Sequence, residues 1–191
     1  ATQAITNVGD VTFTVDALDL GEALSGQGAG DALIIQGKTA ATSINIGGGS
    51  DAAGAIALSS AEVTNLGSGW DSVQFGNSAG TGGMIVNALT WSDNLILQSN
   101  SGVILIASAT MGANDLTINT DADLTIGGAI SGTGTLTIAG AADATTIGLG
   151  GGAGTLGLSD TELDFITNTN GGWGSIVIGS SSGTGAMTVD A

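Results

Sequence analysis

Laid over itself at an offset of about one hundred residues, the sequence matches itself, and such long-range self-similarity restricts a chain to repeat architectures. The run Ala41-Thr42-Ser43-Ile44-Asn45-Ile46-Gly47-Gly48-Gly49 aligns with Ala144-Thr145-Thr146-Ile147-Gly148-Leu149-Gly150-Gly151-Gly152, an offset of 103. Leu58-Ser59-Ser60-Ala61-Glu62-Val63 aligns with Leu158-Ser159-Asp160-Thr161-Glu162-Leu163, where the offset slips to 100. It returns to 103 at Gly69-Trp70 with Gly172-Trp173, and at Ser72-Val73-Gln74-Phe75-Gly76 with Ser175-Ile176-Val177-Ile178-Gly179. The slips place small insertions in loops. The match predicts one continuous segment over 1–191, made of copies over approximately 1–103 and 104–191, with the second truncated.

Within each copy the hydrophobic period is two. Val11-Thr12-Phe13-Thr14-Val15, Leu116-Thr117-Ile118-Asn119, Leu124-Thr125-Ile126 and Leu136-Thr137-Ile138 alternate apolar with small polar residues, the pattern of short half-buried strands. Gly-Ser-Thr-Asn-Asp clusters separate them, and the chain has 35 glycines and no proline, which suits tight turns between strands whose N–H groups all feed ladders. The predicted fold class is therefore all-β, a parallel β-helix (β-solenoid) built from the two tandem copies. At about 20 residues per coil the chain makes about ten coils, a rod of about 45 to 50 Å at the spacing of paired strands. A pair of immunoglobulin-like sandwiches is the rival suggested by the unit size. Ser59-Ser60-Ala61-Glu62 and Ser159-Asp160-Thr161-Glu162 carry the spacing of a helix capping box, so each copy is expected to hold one short helical turn. Leu66, Phe165 and Ile166 would then fold back onto the core.

Composition limits what such a rod does. With 42% hydrophobic residues and a mean hydropathy of +0.41 the chain buries a core and is not disordered. Only 9% of residues are charged: 17 acidic residues face one cation, Lys38, with no Arg or His, for a formal net charge of -16. Nucleic acid is excluded as a partner, since its binding rests on Lys and Arg neutralising phosphates. Cysteine is absent, so no disulfide or thiolate is available. The longest apolar run, Val103 to Ala107, is far too short to span a bilayer as a helix, and no membrane insertion is expected. The start at Ala1, with no basic or apolar leader, reads as a mature fragment.

Catalysis by Ser-His-Asp or Cys-His has no base to work with. Paired carboxylates remain chemically possible, and Glu62 and Glu162 are the best placed, but their equivalent repeat positions favour a capping role. Gly26-Gln27-Gly28-Ala29-Gly30-Asp31-Ala32-Leu33 partly matches a calcium-binding nonapeptide, with Ala at its fourth position, and Asp121 and Asp123 form a D-x-D. Each occurs once, where shared ions need tandem copies, so ordinary turns are favoured and calcium is kept only as a secondary possibility. Thr12/Thr14 and Thr135/Thr137 are two isolated Thr-x-Thr pairs, too few for an ice-binding ladder. Trp70 and Trp173 are weighed as sugar-stacking platforms against packing anchors, with packing favoured. Lys38 is read as a solvated turn residue or the partner of a nearby Asp. No catalytic, cofactor-binding or metal-ligating residue is assigned, and no enzyme activity is expected.

The run Leu156-Gly157-Leu158-Ser159-Asp160-Thr161-Glu162-Leu163-Asp164, with Gly172-Trp173-Gly174-Ser175-Ile176-Val177-Ile178-Gly179 and Gly183-Thr184-Gly185-Ala186-Met187-Thr188-Val189, resembles repeats of filamentous-haemagglutinin-like bacterial surface adhesins. Its counterpart over 56–86 resembles them too. The resemblance implies a right-handed parallel β-helix, export across a Gram-negative outer membrane, and a structural or adhesive role at the cell surface or in a biofilm matrix. The expected partners are other copies, through end-to-end filament assembly, and host or cell-surface glycans.

Overall fold

A computed structural model describes residues 9–26, 30–48, 55–167 and 172–190. The period-two segments form strands gathered into parallel sheets. The largest sheet sets β1 (Val11–Val15), β2 (Ala32–Gly37), β5 (Ser72–Gly76), β8 (Asn94–Ser99), β11 (Leu116–Thr120), β14 (Thr135–Ala139) and β17 (Ser175–Ile178) side by side in that order. A five-stranded sheet runs β12 (Leu124–Ile126), β9 (Ile104–Ile106), β6 (Met84–Val86), β3 (Ser43–Gly47) and β4 (Ala55–Ser59). Among the described residues there are also two three-stranded sheets. One holds β7 (Leu89–Thr90), β10 (Ala109–Thr110) and β13 (Ile130–Ser131), and the other β16 (Leu156–Leu158), β15 (Ile147–Leu149) and β18 (Met187–Val189).

All pairings between these strands are parallel. Parallel neighbours cannot be joined by a tight hairpin, so the chain must travel before it returns to the same sheet. It does so by visiting other sheets: β6 and β7 lie in two further sheets before β8 returns beside β5. An immunoglobulin-like sandwich needs antiparallel strands, and the ladders here are not of that kind.

Register explains the alternation. Val11, Leu33, Val73, Leu95, Leu116, Leu136 and Ile176 stand opposite one another in succession across the large sheet. The five from Leu33 to Leu136 are buried, as are their companions two residues on, Ile35, Phe75, Leu97, Ile118 and Ile138. In the five-stranded sheet Ile44, Met84, Ile104 and Leu124 form a second buried row. These rows belong to one apolar cluster, each fully buried aliphatic side chain contributing about 1.5–3 kcal/mol.

The large sheet has seven strands among the described residues, fewer than the ten coils expected from a uniform short period. The step from Leu33 to Val73, like that from Leu136 to Ile176, is nearly twice the step from Val11 to Leu33. Each long step contains an extra strand laid on its predecessor, β4 on β3 and β16 on β15, followed by a helix. The helices are α1 (Ser60–Asn65) and α2 (Asp160–Thr167), at the two places where the capping boxes predict them. Leu66 and Ile166 are buried beside them and Phe165 is partly buried against the core.

Candidate functional site

The two glutamates weighed as catalytic carboxylates are tied to main-chain groups. In α1 the Ser59 side chain accepts the Glu62 N–H, while Glu62 Oε2 accepts the Ser59 N–H at 2.9 Å and its hydroxyl at 2.8 Å. The second oxygen reaches much further along the chain: Leu20 N–H donates to Glu62 Oε1 at 3.0 Å. Glu162 repeats the pattern, with Oε2 accepting from Ser159 N–H and hydroxyl at 2.8 and 2.7 Å, and Oε1 accepting Ile126 N–H at 3.1 Å. Burial alone would push Glu62 up, but the Leu20 and Ser59 N–H groups and the Ser59 hydroxyl outweigh it and hold the carboxyl below its usual value. Carboxylates so engaged are clamps between elements.

Aspartates at strand ends do similar work. Asp121 accepts the Ala142 N–H at 2.9 Å and the Thr145 hydroxyl, which closes the turn after β14. Asp16 accepts the Thr39 N–H and hydroxyl at 2.8 and 2.9 Å and the Thr42 hydroxyl, closing the turn after β2. The Thr42 hydroxyl, then the Thr39 N–H, hold Asp16 below the usual carboxylate range, with Lys38 adding a smaller pull. That places the lone cation on an exposed turn near an aspartate. Asp121 of the D-x-D is thus engaged by protein donors, and no group of three or more His, Cys, Asp or Glu able to hold a metal occurs among the described residues. Residues 27–29 of the nonapeptide-like run lie outside the described residues; its Asp31 is buried.

The outward column of the large sheet reads Thr12, Ile34, Gln74, Ile96, Thr117, Thr137 and Val177 across successive strands. Threonines are adjacent only at Thr117 and Thr137, so no extended threonine ladder forms. Trp70 is buried, and its indole N–H donates to Leu66 O at 2.8 Å, a packing anchor behind α1. Trp173 is half-buried, its ring 2.8 Å from the point a Cβ on Gly132 would occupy. The two repeat-related tryptophans therefore do not share one hydrogen-bonding role.

A cleft of about 500 Å³ lies where α1 and the turn after it face the segment from Leu89 to Asp93. Trp91 and Asp93 both line it and are both buried. The Trp91 ring meets Phe75 edge-on, with centroids 6.0 Å apart, and its buried indole N–H has no protein partner. Asp93 accepts the Gly69 N–H at 3.0 Å, yet burial outweighs its main-chain hydrogen bonds and pushes its carboxyl above the usual Asp value. Ser68, Thr90 and Ser92 add hydroxyls to the rim. Repeat matching directs attention to paired positions and passes over Trp91; its signal in the sequence is a tryptophan four residues before the Leu95-Leu97 alternation.

No family model, no curated protein and no solved structure matches this chain. No helix among the described residues is long and apolar enough to cross a membrane.

Proposed function

We propose that the chain is a load-carrying β-solenoid segment of an extracellular fibre or surface adhesin, with no catalytic role. The observation that carries this reading is the succession of inward residues from Leu33 to Leu136, each opposite the next in an unbroken parallel ladder. Stacking of this kind makes stability a sum over neighbouring coils, so adding coils adds length and stiffness without a new core. Two tandem copies are supported by topology as well as sequence: β3 lies between β4 and β6 as β15 lies between β16 and β18, with a helix after β4 and after β16. The absence of cysteine and the strong negative charge suit a surface or matrix setting, as in the filamentous-haemagglutinin-like adhesins that the repeats resemble. Single-molecule pulling tests the mechanical role: the reading expects stepwise, coil-by-coil extension at high force, and a single low-force unfolding event contradicts it.

A second reading, recognition of a glycan, is favoured by the cleft at Trp91 and Asp93. A buried donor without a protein partner beside a buried acceptor, rimmed by hydroxyls, suits a neutral polyhydroxylated ligand. Glycan-array binding that disappears in Trp91→Phe, which removes the indole N–H together with part of the ring, in a variant that still melts as a folded protein, supports it; an array without signal leaves the fibre reading alone.

A further inference from the structure

The cleft at Trp91 and Asp93 has an uneven supply of charge and hydrogen bonds. Among the described residues lining it, Asp93 carries the one ionisable side chain, and no Lys, Arg or His stands opposite it. The chain's single cation, Lys38, lies elsewhere, on the exposed turn near Asp16. Asp93 is 8% exposed and accepts the Gly69 N–H at 3.0 Å, with the Trp70 N–H as a further main-chain donor. Its negative charge is thus held by hydrogen bonds without a counter-charge, and burial pushes its carboxyl above the usual Asp value. Trp91, 7% exposed, brings the opposite need, an indole N–H with no protein acceptor. Val63 and Leu89 add apolar wall, and Ser68, Thr90 and Ser92 place exposed hydroxyls on the rim.

We infer that Asp93 makes this cleft selective for uncharged sugar rings over acidic ones. The inference deepens the glycan reading and rests on it. A hydroxyl is both donor and acceptor, so a ring carrying several of them answers both needs, accepting from the indole N–H and donating to the carboxylate. A carboxylate or sulfate can accept from Trp91 but has no proton for Asp93, and it meets that group as a like charge where little water screens the repulsion. An ammonium donates to Asp93 but leaves the indole N–H without an acceptor. The net charge of -16 acts in the same direction at longer range, since it opposes the approach of any anion. At about 500 Å³ the cleft falls within the range of about 300–1,000 Å³ typical of small-molecule sites.

The test is a glycan array of matched pairs, each an uncharged oligosaccharide beside the same chain ending in a carboxylate- or sulfate-bearing sugar. It is probed at neutral pH with the wild type, Asp93→Asn and Ser68→Trp, both variants first shown to melt as folded proteins. Asp93→Asn removes the charge and keeps an acceptor for the Gly69 N–H. Ser68 is exposed on the rim, and a tryptophan there fills the cleft. Wild-type binding is expected on uncharged members and weaker by about tenfold or more on their acidic partners. Asp93→Asn is expected to narrow that gap to about threefold or less, and Ser68→Trp to lose both members. Equal binding of the two members by wild type, or an unchanged gap in Asp93→Asn, overturns the charge selection and spares the glycan reading. Selective binding that survives in Ser68→Trp puts the site elsewhere and overturns the assignment to Asp93. No signal on any glycan removes the glycan reading and the inference together.

Discussion

The carboxylate of Glu62 accepts the main-chain N–H of Leu20 at 3.0 Å, joining a helix cap to main chain 42 residues earlier. Glu162 does the same for Ile126. Each carboxylate uses one oxygen for its own capping box and the other for the distant amide, so both oxygens are committed. Glu62→Ala is therefore expected to lose about 2–3 kcal/mol, a cap plus an amide stripped of its partner. Glu62→Gln does not rescue it fully, because an amide offers one acceptor and turns a donor toward a donor. Urea unfolding of wild type and both variants checks the order: wild type, then Gln, then Ala.

The same contact fixes a pH dependence. Glu62 is held below its ordinary value, so its contribution is fully present above that value and is lost as pH falls through the lowered one. Asp16, lowered by Thr42 and Thr39, acts in the same direction. Stability measured from pH 7 down to pH 3 should fall, and it should fall less in Glu62→Gln. Equal slopes in the two proteins would remove Glu62 from the account.

Asp93 behaves oppositely. Burial raises its carboxyl, so the ionised form at neutral pH works against the fold, while an asparagine keeps an acceptor for the Gly69 N–H. Asp93→Asn should melt higher than wild type at pH 7. The gap should shrink as pH falls through the raised value and vanish below the ordinary Asp value. Thermal melts across pH 3 to 7 decide it.

Close approach of backbone leaves no room for a side chain at chosen glycines. A Cβ on Gly102 would stand 1.9 Å from Gly82 O, whereas one on Gly83 meets only Val103 O at 3.6 Å. Gly102→Ala is expected to cost about 3 kcal/mol or more, as backbone must shift, and Gly83→Ala to stay within about 0.5 kcal/mol. Chemical denaturation of the two variants separates a corner constraint from general flexibility.

Asp121 accepts from Ala142 N–H and the Thr145 hydroxyl, donors that close its turn from within the protein. Melting temperature is expected to be the same in calcium and in chelator. A large drop with chelator would restore the calcium-stabilised reading.

These contacts show what the sequence reveals and what it withholds. Val11–Val15 and Leu124–Ile126 are strands because alternation is a local property, and α1 and α2 appear where Ser59 and Ser159 stand three residues before glutamates. Local pattern does not tell which strand lies beside which: β2 skips β3 and β4 to meet β5, as β5 skips β6 and β7 to meet β8. The extra strand and helix between β2 and β5, and again between β14 and β17, are why a uniform period overcounts the strands of the large sheet. The candidate clamps were identifiable as residues and not as contacts, since Leu20 and Ile126 offer only main-chain N–H groups, which leave no side-chain signature. Trp91 and Asp93 fall in no repeated pair, and only folding brings them to one cleft with α1.

The stacked-coil account is tested most directly by electron cryo-microscopy of the assembled material. It predicts a continuous rod with an axial spacing near 4.8 Å, the separation of paired strands. Discrete globules strung along a flexible thread would contradict it.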